Sequence, residues 1–174
     1  MLQIELNADI GEGYDDAGLM PLLDRAAIAC GGHTGDAASM DAALARCAEH
    51  GVIPGAHPSY PDREHFGRHA QAASAADIRR WVTEQTEALA ERAARRGMRL
   101  AHVKPHGALY NVAAHDAATA VAIAEAVAAV DPALALVGLA HSRLTEAGRA
   151  AGLAVLHEAF ADRGYAADGS LIPR

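Results

Sequence analysis

The chain has 174 residues, 22 acidic against 15 basic, for a formal net charge of -7. That length suits one domain with a sizeable core and is too short for two independent ones, so residues 1–174 form a single expected unit. The acidic balance offers no basic field for a phosphate backbone, which excludes nucleic acid as an expected partner.

No apolar run of about 18 residues could span a bilayer, and the N-terminus opens on a strand-like segment without a basic and then apolar leader. A cytosolic location without a membrane partner is the expectation. Cys30 and Cys47 have no metal-ligand spacing and are too few for a disulfide framework, which fits a reducing compartment. Aromatic residues make up only 4 %, so the abundant alanines are expected to pack the helices closely through small side chains.

Short apolar segments alternate with longer amphipathic ones, the pattern of parallel strands joined by helices. The first expected strand covers residues 2–8 and runs into Asn7-Ala8-Asp9-Ile10-Gly11-Glu12-Gly13, where two carboxylates sit among turn-forming glycines. Asp9 and Glu12 suit metal binding, amide orientation or general base work. The glycines do not form a dinucleotide loop, because Asp16 occupies the place of the third glycine in G-x-G-x-x-G.

A second strand at 26–30 leads into Cys30-Gly31-Gly32-His33-Thr34-Gly35-Asp36. His33 is a candidate substrate ligand, and Asp36 is first a helix cap and second a ligand. Cys30, a small thiol at a strand end, reads as packing. The helix after Asp36 carries Met40, Leu44 and Cys47 at helical spacing and stops at Gly51.

The third strand, 52–56, ends at His57, and Pro58 and Pro61 stiffen a loop that brings Asp62 and Arg68 within reach of the same pocket. A long helix follows, with Ser74 as N-cap, Asp77 completing a capping-box arrangement and Gly97 as the stop.

A fourth strand at 100–104 runs into His102-Val103-Lys104-Pro105-His106-Gly107-Ala108-Leu109-Tyr110-Asn111. Strand alternation turns His102, Lys104 and His106 to one face. A buried lysine needs an anion or loses its charge, so Lys104 is expected to bind a carboxylate or phosphate, to serve as a shifted base, or to form a structural ion pair with Asp9 or Glu12. Helices at 116–130 and 143–151 and strands at 134–138 and 153–157 complete the pattern. The last strand leads into Glu158-Ala159-Phe160-Ala161-Asp162-Arg163, where Arg163 suits a carboxylate clamp.

Six strands alternating with helices fit a β/α barrel or an open doubly wound sheet. Asp9, His33, His57, His106 and Glu158 each fall just beyond a different expected strand, and several strands feeding one mouth favours the barrel.

The segments NADIGEG, ACGGHTGD, GAHPSYPD with FGR, VKPHGALYN and EAFADRGY, in that order, resemble the LamB/YcsF family of 5-oxoprolinase A subunits (PxpA). The resemblance covers nearly the whole chain. It implies a parallel β/α barrel of the glycoside hydrolase/deacetylase type and cleavage of 5-oxo-L-proline to L-glutamate with ATP hydrolysis, together with PxpB and PxpC subunits. Two positions depart from the family pattern: Gly32 replaces a larger, often aromatic residue, and His69 replaces a second arginine. Family members also continue past residue 174, so the last barrel strands are expected to be missing: either the chain is a truncated product, or another chain covers the open edge.

With that chemistry, Asp9 or Glu12 is the expected general base. His57 and His106 would move protons or polarise the carbonyl, and Lys104 and Arg163 would hold the carboxylate or phosphoryl group. His33, Asp36, Asp62, Arg68, Asn111, Glu158 and Asp162 complete the expected substrate site. ATP is the co-substrate; because no G-x-x-x-x-G-K-[ST] loop is present, the nucleotide is expected largely on a partner subunit. One rival is a stand-alone metal-dependent deacetylase or amidohydrolase using Asp9, His33 and His57 around an activated water. The other is a non-catalytic substrate-binding subunit. Metal requirement and homo-oligomerisation stay open at this level.

Overall fold

The structure, a computed structural model, describes residues 4–167, 169, 171 and 172; residues 2 and 3 of the first expected strand lie outside them. Six strands form one sheet: β1 (Asn7–Ile10), β2 (Arg25–Ala29), β3 (Ile53–His57), β4 (His102–Val103), β5 (Ala135–Leu139) and β6 (Val155–Glu158). Each pairs in parallel with the next, in the order β1-β2-β3-β4-β5-β6. A doubly wound sheet reverses its strand order at a switch point, and this sheet does not, so that expectation falls. Consecutive right-handed crossovers keep the helices on one side and curl the sheet, leaving a concave face for polar side chains.

The crossover helices are α1 (Ala37–His50), α2 (Ala75–Arg95), α3 (Gly107–His115), α4 (Ala117–Val130) and α5 (Arg143–Ala150). Their ends follow local chemistry. Asp36 accepts the Ser39 N–H at 2.9 Å while Ser39 Oγ accepts the Asp36 N–H at 2.8 Å, a complete capping box, and α1 closes on left-handed Gly51. Ser74, Asp116 and Ser142 cap α2, α4 and α5. Helix α3 lies outside the expected elements, because its buried residues, Ala108, Leu109, Tyr110, Ala113 and Ala114, surround it and leave no amphipathic period to detect. A 3-10 turn at Met20–Leu22, which buries Met20, is a second addition.

Helix α4 packs against α2 and α5, and buried Ala120, Ala122, Ala124 and Ala126 permit the close approach. Ile28, Leu44, Leu89, Leu109, Ile123 and Leu136 are fully buried and supply the larger core volume.

Strand boundaries move in two places that matter. β1 begins at Asn7, so Asp9 lies inside the strand opposite Ala27 and not beyond its end. β4 is only two residues long, which places Lys104 just past its end and His106 at the N-cap of α3. His102 remains in the strand, and a Cβ at neighbouring Gly55 would lie 2.3 Å from its Nε2. Glycine is therefore required at position 55 for an imidazole to lie over β3.

Candidate active site

The C-terminal ends of the strands deliver charged groups to one place. Lys104 Nζ donates to Asn7 Oδ1 at 2.9 Å and to Glu158 Oε1 at 2.8 Å, and lies 2.9 Å from Asp9 Oδ1. An ammonium has three donors, and these three acceptors use them all. Its charge is retained despite burial: desolvation opposes the cation, but the Asp9 and Glu158 carboxylates outweigh it and raise the pKa. This corrects two expectations. Lys104 has no spare donor for a substrate anion, and its pKa moves away from that of a general base. The structural ion pair is present, with Asp9 and Glu158 as partners and not Glu12.

Asp9 also lies 3.4 Å from His57 Nε2. Burial works against its ionisation, yet His57 and Lys104 hold its carboxyl well below the usual carboxylate range. Glu158, at the end of β6, faces the Tyr110 hydroxyl, whose pKa is pushed up by burial and by that carboxylate.

Behind Asp9, three imidazoles surround Glu12. Its Oε1 is 2.8 Å from His33 Nε2, 3.4 Å from His106 Nδ1 and 3.9 Å from His57 Nε2. Burial raises the Glu12 pKa, but the His33 hydrogen bond and the neighbouring His57 bring it below the ordinary value. His33 stacks on His106, with centroids 3.6 Å apart and planes 4° from parallel. Burial lowers both histidines, His106 to about 4 with His57 and His33 adding to the effect. Both therefore favour the neutral imidazole at pH 7.

Backbone carbonyls orient two of these rings. His57 Nδ1 is 2.6 Å from the Lys104 carbonyl, and His106 Nε2 is 2.9 Å from that of Phe66. Phe66 has φ 55, in the left-handed region, followed by Gly67 at φ 64. A Cβ at Gly67 would approach His33 Cβ to 2.8 Å, so the turn that presents the Phe66 carbonyl needs glycine for space as well as for conformation.

A cavity of about 370 Å³ opens over this array, lined by Asp9, His57, Lys104 and His106 together with Arg68, Tyr110, Asn111, Phe160 and Arg163. Asp9, Lys104, His57, His106, Arg68, Asn111 and Arg163 thus meet as expected, with Glu12, His33 and Glu158 immediately behind. Arg68 packs its guanidinium 5.1 Å from the Phe66 ring centre, and Arg163 donates to the Ile172 carbonyl at 2.7 Å.

Asp36, Asp62 and Asp162 are not among the lining residues. Asp36 is exposed and engaged as the α1 cap; Asp62 Oδ1 accepts from His65; Asp162 lies in the turn after β6. Asn7, Tyr110 and Phe160 carry no role that their local sequence reveals, and only the curl of the sheet brings them to the mouth. Cys30 is inert as expected, its thiol pushed up to about 12 by burial and donating to the Ile28 carbonyl at 3.0 Å. At Gly32 a Cβ would lie 2.4 Å from Gln85 Oε1 and 2.5 Å from Ser59 Oγ, and Gln85 fills that space by bonding both Ser59 N and Ser59 O.

Comparison with known proteins agrees with this architecture. The chain is 56% identical over 180 residues to a Chloroflexus aggregans protein named as the A component of 5-oxoprolinase, covering 100% of this chain and 71% of that relative. It superposes on the crystal structure of the lactam utilization protein from Thermus thermophilus with a TM-score of 0.95 at 43% identity, covering 99% of this chain and 72% of that one. The LamB/YcsF family model matches residues 4–174, and the chain belongs to that family.

Proposed function

We propose that this chain is the A component of an ATP-dependent 5-oxoprolinase and that the lactam is opened in the cavity over Asp9 and His57. The observation that carries the reading is the pairing of a cavity-lining carboxylate with an oriented imidazole, in a cavity of about 370 Å³ that Arg68 and Arg163 also line. The names of its relatives, a 5-oxoprolinase component and a lactam utilization protein, point to the same chemistry.

A five-membered lactam resists water until its oxygen becomes a better acceptor of charge. Transfer of the ATP γ-phosphoryl group to that oxygen releases ADP. Water then adds to the activated carbon while its proton passes to Asp9. The C–N bond breaks, the nitrogen leaves as the amine, and hydrolysis of the remaining acyl phosphate by a second water yields glutamate and phosphate.

Of the two carboxylates available as base, Asp9 lines the cavity and Glu12 does not. Lys104 holds Asp9 in place, while Arg68 and Arg163 are placed to receive the substrate carboxylate. PxpB and PxpC are the proposed partners, with the nucleotide held largely by them. A β/α barrel of the deacetylase type is the proposed parent architecture, supported by the unreversed strand order. The cytosol, which supplies ATP and suits the two free cysteines, is the proposed compartment.

The test is glutamate release from 5-oxoproline and ATP by the two partner subunits, with and without this chain. Release that requires the chain and is lost in Asp9→Asn supports the assignment. Release without the chain overturns it, and undiminished turnover with Asp9→Asn removes Asp9 from the mechanism. A substrate-binding subunit without chemistry would retain turnover in that variant.

A further inference from the structure

The tautomers of His57 and His106 are set by carbonyl groups, which only accept. His57 Nδ1 must carry its proton to bond the Lys104 carbonyl, and His106 Nε2 must carry its own to bond that of Phe66. The opposite nitrogens, His57 Nε2 and His106 Nδ1, are then unprotonated, and they stand only 3.0 Å apart. Two buried lone pairs at that distance repel unless a positive charge lies between them. Glu12 Oε1 completes a triangle with them, at 3.4 Å from His106 Nδ1 and 3.9 Å from His57 Nε2. Tetrahedral bonds of about 2.0–2.1 Å to a zinc-type ion place neighbouring ligand atoms roughly 3.3 Å apart, within the range of these three edges.

The surroundings fit the same occupant. Each imidazole donates its remote N–H to a backbone carbonyl, the usual support of a metal-bound histidine. Glu12 accepts from His33 Nε2 at 2.8 Å, as a ligating carboxylate does from a supporting donor. His33 itself lacks such support, since its Nδ1 is buried without a hydrogen-bond partner among the described residues, so it suits the role of donor to Glu12 better than that of ligand. Asp9 Oδ1 pairs with Lys104 and its Oδ2 lies 3.4 Å from His57 Nε2, but the ligand atoms that converge on one point are those of Glu12, His33, His57 and His106, which sets Asp9 beside the site.

We propose that Glu12, His57 and His106 bind one divalent transition-metal ion of the zinc type, with His33 positioning the carboxylate. Three protein ligands leave a fourth position directed to the cavity that His57 and His106 line. An ion there would lower the pKa of a bound water next to Asp9. That catalytic use rests on the proposed lactam reaction, whereas binding of the ion does not.

The experiment uses the full chain alone, without partner subunits, ATP or 5-oxoproline. Protein stripped by a chelator is titrated with Co2+, followed by its visible absorption, and then with Zn2+ in competition. One tetrahedral Co2+ per chain, displaced by Zn2+ and lost in His57→Gln and in His106→Gln while circular dichroism shows a native fold, is the expected result. His33→Ala should keep one ion per chain with affinity weakened about 10–100-fold.

Failure of the folded wild-type chain to take up a stoichiometric ion overturns the proposal and assigns the charge between the imidazoles to a shared proton. Uptake that survives both glutamine variants but is lost in His65→Ala assigns the ion to the outer Asp62, His65 and His69 group and overturns it equally. Because no turnover is measured, either result is independent of the lactam assignment.

Discussion

Lys104 Nζ stands 2.8 Å from Glu158 Oε1 although the two residues are 54 positions apart, and the same nitrogen reaches Asp9 on the opposite edge strand. One ammonium near the middle of the sheet thus ties β1 to β6 at its open ends. Lys104 and Glu158 are both buried, while the Asp9 carboxylate opens to the cavity, so the cluster of two carboxylates and one cation has a buried pair at its centre. Its strength lies in completeness, since removal of the cation leaves two carboxylates facing each other without compensation.

Substitution of Lys104 by methionine is therefore expected to destabilise the fold by about 3–5 kcal/mol, the usual consequence of breaking a buried pair from one side. Urea denaturation of the two proteins at pH 7 measures it. Adding Glu158→Gln should recover part of the loss, because one of the stranded charges is removed. A Lys104→Met variant as stable as the parent would mean that the cluster contributes nothing to the fold.

Stability should also fall on acidification. Burial, reinforced by the charges of Arg25 and Lys104, depresses His102 from 6.5 to about 3. Between those values the unfolded chain binds a proton that the folded chain refuses, so stability decreases as pH drops from 6.5 toward 3. In metal-stripped protein His33 and His106, also depressed, act with the same sign. Asp9 and Glu12 add a loss at lower pH, as they protonate through their own depressed values. The denaturation midpoint of stripped protein is expected to be lower at pH 5 than at pH 7, with a smaller difference in His102→Gln. Equal midpoints would show that His102 accepts its proton without cost.

Asp36 separates local structure from chemistry. Its side chain accepts from Ser39 at the start of α1 and takes no part in lining the cavity. Asp36→Ala should cost about 0.5–2 kcal/mol of stability, as lost N-caps do, with KM and kcat of the reconstituted complex unchanged at a temperature where the variant is folded. A selective change in KM would return Asp36 to the substrate site.

Much of the architecture follows from the sequence alone. Strand and helix alternation, the caps at Asp36 and Ser74, the stop at Gly51 and the inert Cys30 are local properties, set by side-chain periodicity and backbone hydrogen bonding within a few residues. The polar groups Asp9, His57, Lys104 and His106 are recognisable because each follows or ends an apolar segment.

What the sequence alone left undecided depends on contacts across the sheet. Whether Lys104 offered a free charge or a satisfied one depended on Asn7, Asp9 and Glu158 arriving together, which no spacing encodes. The choice between Asp9 and Glu12 as the carboxylate facing the cavity depended on the curl of the sheet. The tautomers of His57 and His106 depended on two carbonyls, one in the segment after β4 and one in a left-handed turn, because a histidine proton goes to whichever nitrogen finds an acceptor.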